Sequence, residues 1–331
     1  MPTARGSVRT YAMSVLLAWV LGIALPCRPQ AMEIAVWGDQ LVLSGPVVDG
    51  DFARVQSMLA RSPAVTTVIL RDSPGGDART GYQLGEEFRA RHFRTAVSGY
   101  CFSSCSRMFL GGAVRLFTDD SAPDATEVGL HGHYDSHGRL ASAAVRQFGL
   151  KDWIIRFSDG KADPALVERW INIPVNRGMI HFFNPALVRH DGVSTFMCQG
   201  PNPPGKTVFD CEPIAKTAID LGIATSTDRI SSNDFVAARR ILPKSPAPSG
   251  YATVGNVDKV PLATPQGRNE YRRFLAAPLP RAFAIAPDQQ HWAWNSGIAD
   301  AMLTALVRCA GRAGQQCRIY AFDDTVIWTR P

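Results

Sequence analysis

Three short apolar runs, each closed by a turn of small and polar residues, set the tightest limit on what this 331-residue chain can fold into. Thr66-Thr-Val-Ile-Leu-Arg71 stops at Asp72-Ser-Pro-Gly-Gly76. Thr95-Ala-Val-Ser-Gly99 stops at Tyr100-Cys-Phe-Ser-Ser-Cys105, and Glu127-Val-Gly-Leu130 stops at His131. Runs this short and rich in β-branched residues read as strands. The stretches between them carry helical signals, so the chain reads as a layered α/β fold of βαβ type.

The same reading extends to either side. Leu41-Val-Leu-Ser-Gly45 is a strand, followed by a helix opening near Asp49–Asp51 and running to Arg61. Asp77 is placed to cap a helix through Arg91, with Tyr82, Leu84 and Phe88 as its apolar positions. A short apolar helix runs from Ser104 to about Gly112, and Val114–Phe117 is a further strand. Residues 139–190 read as helical, with Asp163-Pro164 as a good helix start. Residues 243–265 are rich in Pro, Ser and Gly and read as a linker. In the tail, Ile298, Met302, Leu303, Leu306 and Val307 share one helix face. Asn295 or Ser296 serves as its cap and Gly311 as its end, and Arg318-Ile-Tyr-Ala-Phe322 is a closing strand.

Composition allows one large core, with or without a small satellite, since 46% of residues are apolar. The formal charge of +6 is partly contributed by Arg5, Arg9 and Arg28. Without residues 1–31 the count is 32 basic against 29 acidic groups, or +3. That is too mild for nucleic acid, and no basic cluster is interleaved with aromatics. Arg5 and Arg9 precede the apolar stretch from Ala12 to Leu25, which is short for a membrane span of roughly 20 residues. It reads as an export signal with cleavage near Ala31, the alternative being an uncleaved inner-membrane anchor. The expected division is therefore a leader over 1–31, a main domain over 32–235, a linker over 236–269 and a small module over 270–331.

Beyond residue 31 six cysteines remain, an even number that favours disulfides in an exported chain. Local pairing predicts Cys198–Cys211 and Cys309–Cys317. Cys101 and Cys105 either bridge across their turn or serve as small packing residues.

Ser103 falls where a strand meets a helix, so its hydroxyl lies at the positive end of a helix dipole beside the unpaired N–H of Ser104. Gly75 and Gly76 lack side chains, so a carbonyl oxygen could approach their N–H groups. A donor from each turn is what a tetrahedral oxyanion requires, and losing one typically costs about 2.7–4 kcal/mol of barrier. Taken singly, these are also an ordinary tight turn and an ordinary helix cap.

The order and spacing carry more. Ser73-Pro-Gly-Gly76 after a strand, then Gly99-x-x-x-Ser103 with Gly112 nine residues on, then Val128-x-x-His131, resembles the Clp serine proteases of the ClpP/crotonase fold. The Cys101-x-Ser103-x-Cys105 setting resembles exported relatives of that peptidase. The resemblance covers roughly residues 35–230. It implies a ClpP/crotonase-like layered βαβ core with a helical insertion, followed by a small disulfide-stapled α+β module. It also implies Ser103 as nucleophile, His131 as general base, and Gly75 or Gly76 with Ser104 as oxyanion hole. The family's acid lies twelve residues before a late helix-end glycine. Ile219-Asp-Leu-Gly222 matches that end and points to Asp210, with Asp135 or Asp191 as alternatives. Peptide or protein substrates and a possible homo-oligomer follow, with no cofactor and no metal. Phe102 and Ser104 depart from the peptidase's small residue and Met, which affects cleft shape and ring assembly.

Three other signals point elsewhere. His131, His133, Asp135 and His137 lie within seven residues, but Tyr134-Asp-Ser-His-Gly138 is turn-like, so a metal site is the weaker reading. Gly200 to Thr207 matches the P-loop letter for letter, yet Pro201, Pro203 and Pro204 remove the donors a phosphate needs. Trp292, Trp294 and Trp328 are either a ligand surface or the core of the tail module.

Overall fold

The computed structural model describes residues 31–243, 246–297 and 300–329, so the leader segment expected over 1–31 lies almost wholly outside the described residues. The main lobe is built on a ten-stranded mixed sheet. A hairpin, β1 (Glu33–Trp37) and β2 (Gln40–Ser44), leads into α1 (Asp51–Arg61) and β3 (Thr67–Ser73). Helix α2 (Ala78–Ala90) connects to β4 (Arg94–Phe102), and α3 (Ser104–Gly111) to β5 (Val114–Thr118) and β6 (Glu127–Leu130). Strands β2, β3, β4 and β5 run parallel, joined by helices as a βαβ fold requires. The Asp77 side chain accepts from Thr80 N–H, so the predicted cap of α2 is made.

Gly99 explains how the sheet presents Ser103. Up to Val97, β4 pairs with β5; from Tyr100 onwards it pairs with β6. The register slips between Arg71 and Ser73 on β3, and Asp72 and Gly99 both take positive φ. A Cβ on Gly99 would fall 2.1 Å from Asp72 Oδ1, so only glycine permits this fork. Beyond it, Cys101 faces the helix-covered core while Tyr100 and Phe102 face the open side.

Helices α4 (Ser142–Gln147), α5 (Leu150–Phe157) and α6 (Pro164–Ile171) follow the sheet's first half, with Asp163 capping α6. Residues 139–190 are not helical throughout, however. Strands β7 (Met179–Phe183) and β8 (Thr195–Cys198) extend the sheet antiparallel from β6, and β9 (Glu212–Pro213) closes that edge. The helical periodicity ends at Ile171. Met179-Ile-His-Phe-Phe183 is a five-residue aromatic and β-branched run, too short for a helix and suited to a strand. Short β10 (Arg229–Ile230) pairs with β5, and α7 (Asn233–Arg240) follows.

The tail forms a second small sheet in the order β12-β11-β13-β14. It comprises β11 (Arg281–Ile285), β12 (Trp292–Ser296), β13 (Arg318–Phe322) and β14 (Thr325–Val326). Helix α8 (Pro265–Leu275) covers one face and α9 (Ala301–Ala313) the other. Alternation along β11 does this directly: Ala282 and Ala284 pack with Leu303 and Leu306 of α9, Phe283 and Ile285 with Tyr271 and Phe274 of α8. Asn295 and Ser296, expected as a helix cap, belong to β12. Helix α9 ends on left-handed Gly314 rather than Gly311. Residues 236–269 include the end of α7, the first turn of α8 and core residues Val260 and Leu262, so much of the expected linker is packed structure.

A buried ion cluster ties the larger sheet to α7, whose Phe235 and Ala238 pack with α9 of the tail. Arg71 at the end of β3 binds Asp234 of α7 with Nη1 at 2.5 Å and Asp120 with Nη2 at 3.0 Å. Ser232 and Ser98 complete its hydrogen bonds. At the rim, Arg308 and Arg312 of α9 pair with Asp72 at 3.6 Å and Glu33 at 3.0 Å. Among the described residues three disulfides are closed: Cys101–Cys105, Cys198–Cys211 and Cys309–Cys317. Among the described residues no helix is long and apolar enough to cross a membrane.

Candidate active site

Ser103 stands alone between β4 and α3 at φ 55°, ψ −122°, a backbone region that costs a non-glycine residue about 1–3 kcal/mol. Its surroundings hold it there. The Ser103 N–H donates to the Gly129 carbonyl on β6 at 3.1 Å, and its own carbonyl accepts from Ser106 N–H and Oγ. At this strand-to-helix turn Ser103 is partly exposed while Ser104, the first residue of α3, is fully buried. Ser104 N–H is a first-turn amide with no intrahelical acceptor.

The glycine turn after β3 is pressed onto this elbow. A Cβ on Gly75 would lie 2.6 Å from Ser103 Cβ and 2.9 Å from Ser104 N. Gly75 and Gly76 are in turn fixed by Val47, whose N–H donates to Gly75 O and whose carbonyl accepts from Asp77 N–H. Gly75 N–H itself donates to Ser73 Oγ at 3.3 Å, a long bond. The structure therefore brings Ser103, Ser104 and Gly75 together, with Gly76 next in line.

His131 follows β6 and is nearly buried, its ring tilted against Tyr134 at 4.9 Å. Nδ1–H donates to the Gly132 carbonyl at 2.6 Å, which leaves Nε2 unprotonated as a base must be. Burial, and then the Arg107 guanidinium, push the imidazole down to about 4. Arg107 is itself buried, lies over the Tyr82 ring, and has no ion-pair partner among the described residues. Among those residues no hydrogen bond joins the Ser103 hydroxyl to His131. Catalytic contacts in unliganded sites commonly tighten only when substrate binds.

Asp210 is not at the imidazole. It is exposed in a 3-10 turn (Val208–Asp210), where Oδ2 caps Thr207 N–H at 2.8 Å and Oδ1 binds Lys206 at 2.9 Å. The Thr207 amide and Lys206 hold its carboxyl below the usual range. Asp135 is spent on His137 and Arg139, and Asp191 is exposed beside His190. The orienting group on His131 is thus a backbone carbonyl in place of the expected carboxylate. The twelve-residue spacing to Gly222 placed Asp210 beside the Cys198–Cys211 bridge, but that bridge ties it to the β8 edge. We expect Asp210→Asn to change any activity at Ser103 by less than about twofold, as an exposed pair contributes little. A fall approaching that of a base-deleted variant, measured as a reaction rate at Ser103, would return Asp210 to the site.

One pair escaped the sequence reading. His181 Nδ1–H donates to Glu127 at 2.6 Å across β6 and β7, and its ring meets Phe102 edge-on at 5.8 Å. Phe102 in turn lies against Tyr100 at 5.0 Å and over Gly129. The signal was the apolar run around His181, hidden once residues 139–190 were read as helix. His133 bonds the Tyr82 hydroxyl at 3.0 Å and is pushed down to about 3 by burial and Arg107. The histidines of this segment therefore diverge, and no group of three or more metal-ligating residues converges among the described residues. Residues 201–207 are exposed, without the helix a phosphate loop needs. In the tail Trp328 is core, while Trp292 and Trp294 line a polar cleft of about 520 Å³ with Glu270 and Arg312.

No family profile and no curated protein matches this chain. Among solved structures, ClpP1 from Listeria monocytogenes aligns at 10% identity over 40% of this chain and 78% of its own, with a TM-score of 0.33. A membrane-bound stomatin-specific protease aligns at 14% identity over 39% of this chain and 67% of its own, with a TM-score of 0.30.

Proposed function

We propose that the chain is an exported serine hydrolase of ClpP-like fold acting on peptide bonds through an acyl-enzyme at Ser103. One observation carries the reading. A serine in a strained strand-to-helix turn has a side-chain-free glycine and a free first-turn amide packed against it, as oxyanion stabilisation requires. His131 supplies a neutral imidazole whose Nε2 lone pair is available, oriented by the Gly132 carbonyl. In the first step Nε2 takes the Ser103 proton as Oγ attacks the carbonyl carbon. The resulting oxyanion is met by Ser104 N–H and a donor of the Gly75–Gly76 turn. His131 then returns the proton to the leaving amine, and water repeats the sequence. Three disulfides support an oxidising compartment, in keeping with the apolar segment over 12–25.

A second reading, an envelope binding protein that keeps the fold without the chemistry, is favoured by the imidazole's lack of a carboxylate partner. Without one, the imidazolium formed during attack is stabilised only by a carbonyl dipole and opposed by Arg107. A fluorophosphonate probe separates the two. Labelling at Ser103 that disappears in Ser103→Ala supports the hydrolase, whereas folded wild-type protein that takes up no probe supports the binding protein. The acid limb provides a second check. A base must be neutral, and the folded imidazole titrates near 4, so the rate stays at its plateau down to about pH 5 and falls as the pH drops through 4. A limb centred near the ordinary histidine value of about 6.5 would show that His131 is not the base in this environment. The same depression means that His131 costs the fold stability as pH falls from about 6.5 towards 4, because only the unfolded chain takes up the proton readily over that range.

A further inference from the structure

We propose that the Cys101–Cys105 disulfide is a positioning clasp for the Ser103 hydroxyl, an inference that rests on Ser103 being the nucleophile. The bond closes a sequence separation of four, with Ser103 at the centre of the loop. One end is fixed in the sheet, where Cys101 pairs with Val128 and Ser73. The other end is fixed in the first turn of α3, and both cysteines are completely buried. The clasp thus joins the end of β4 to the first turn of α3 across Ser103, whose backbone takes positive φ.

Its length argues against a general stabilising role. The other bridges close separations of 13 and 8 residues, and loop-closure entropy is smallest for the shortest loop. Hydrogen bonds hold Ser103 through its own N–H and carbonyl. They do not fix the angle between β4 and α3, and that angle decides where Oγ lies relative to Gly75 and His131. A covalent link between the two elements does.

The test compares Cys101→Ala/Cys105→Ala and the volume-restoring Cys101→Val/Cys105→Ala with Cys198→Ala/Cys211→Ala as control. The full chain is used throughout, and the rate of fluorophosphonate capture at Ser103, the melting temperature and local amide exchange are measured. Both clasp variants should react about 10- to 100-fold more slowly while still folded, the scale of a reacting group displaced by about an ångström. The control should react as wild type does. Clasp variants that react at the wild-type rate overturn the proposal, and so does a control slowed equally, because the loss then follows stability. If wild type takes up no probe, the nucleophile reading fails on its own and amide exchange decides the clasp. Faster exchange confined to residues 102–106 supports it; unchanged exchange there overturns it.

Discussion

Gly75→Ala should slow reaction at Ser103 by at least about 100-fold, as expected when the oxyanion donors and the reacting hydroxyl are pushed apart. The added methyl would sit 2.5 Å from the Phe102 carbonyl, 2.6 Å from Ser103 Cβ and 2.9 Å from Ser104 N. None of these is the loose end of a long side chain, so backbone must move. Gly75 also takes φ +83°, where an alanine is strained whatever space it finds. Strain of this kind costs about 1–3 kcal/mol, so the protein should stay folded while the site opens. Probe capture beside a thermal melt reads both effects. Near-wild-type capture in a folded Gly75→Ala protein would mean that the glycine turn takes no part in the chemistry.

Arg71→Met should have the largest effect on stability, about 3–5 kcal/mol, because removing one partner of a buried ion cluster strands the others. Asp234 is wholly buried and Asp120 nearly so, and both face the guanidinium. Burial alone would raise the Asp120 carboxyl; Arg71, with Ser232 and Thr118, reverses that and holds it below the usual range. Without Arg71 the two carboxylates must take up protons or admit water, and both routes loosen the contact of β3 with α7. The denaturant midpoint measures the loss. An unfolding free energy equal to wild type would show that solvent already neutralises the cluster.

The parts of the fold legible in sequence were those whose local signal and tertiary role agree. Val65–Arg71 and Thr95–Gly99 are central strands covered on both faces, so they read as continuous apolar runs, and Asp77 and Asp163 cap helices through their own side chains. β11 and β12 were missed because Ala282, Ala284 and Ala293 are strand residues of weak β preference that pack a helix closely. At the site, Ser103, Ser104 and Gly75 lie at the ends of β3 and β4, neighbours in the sheet, so spacing conveyed their proximity. His131 follows β6, which pairs with the end of β4, and no hydrogen bond joins it to Ser103 among the described residues. The acid was the one member drawn from far along the sequence. Its position depends on the path of β7 and β8, which residue counting cannot follow.

Asp234 and Ser232 stand on the segment that leaves the larger sheet, yet they neutralise a guanidinium rooted in its centre. A truncation intended to isolate the larger sheet must therefore retain α7 through Arg240. A cut near residue 230 would remove Asp234 and Ser232 and leave the buried Arg71 guanidinium without two of its partners.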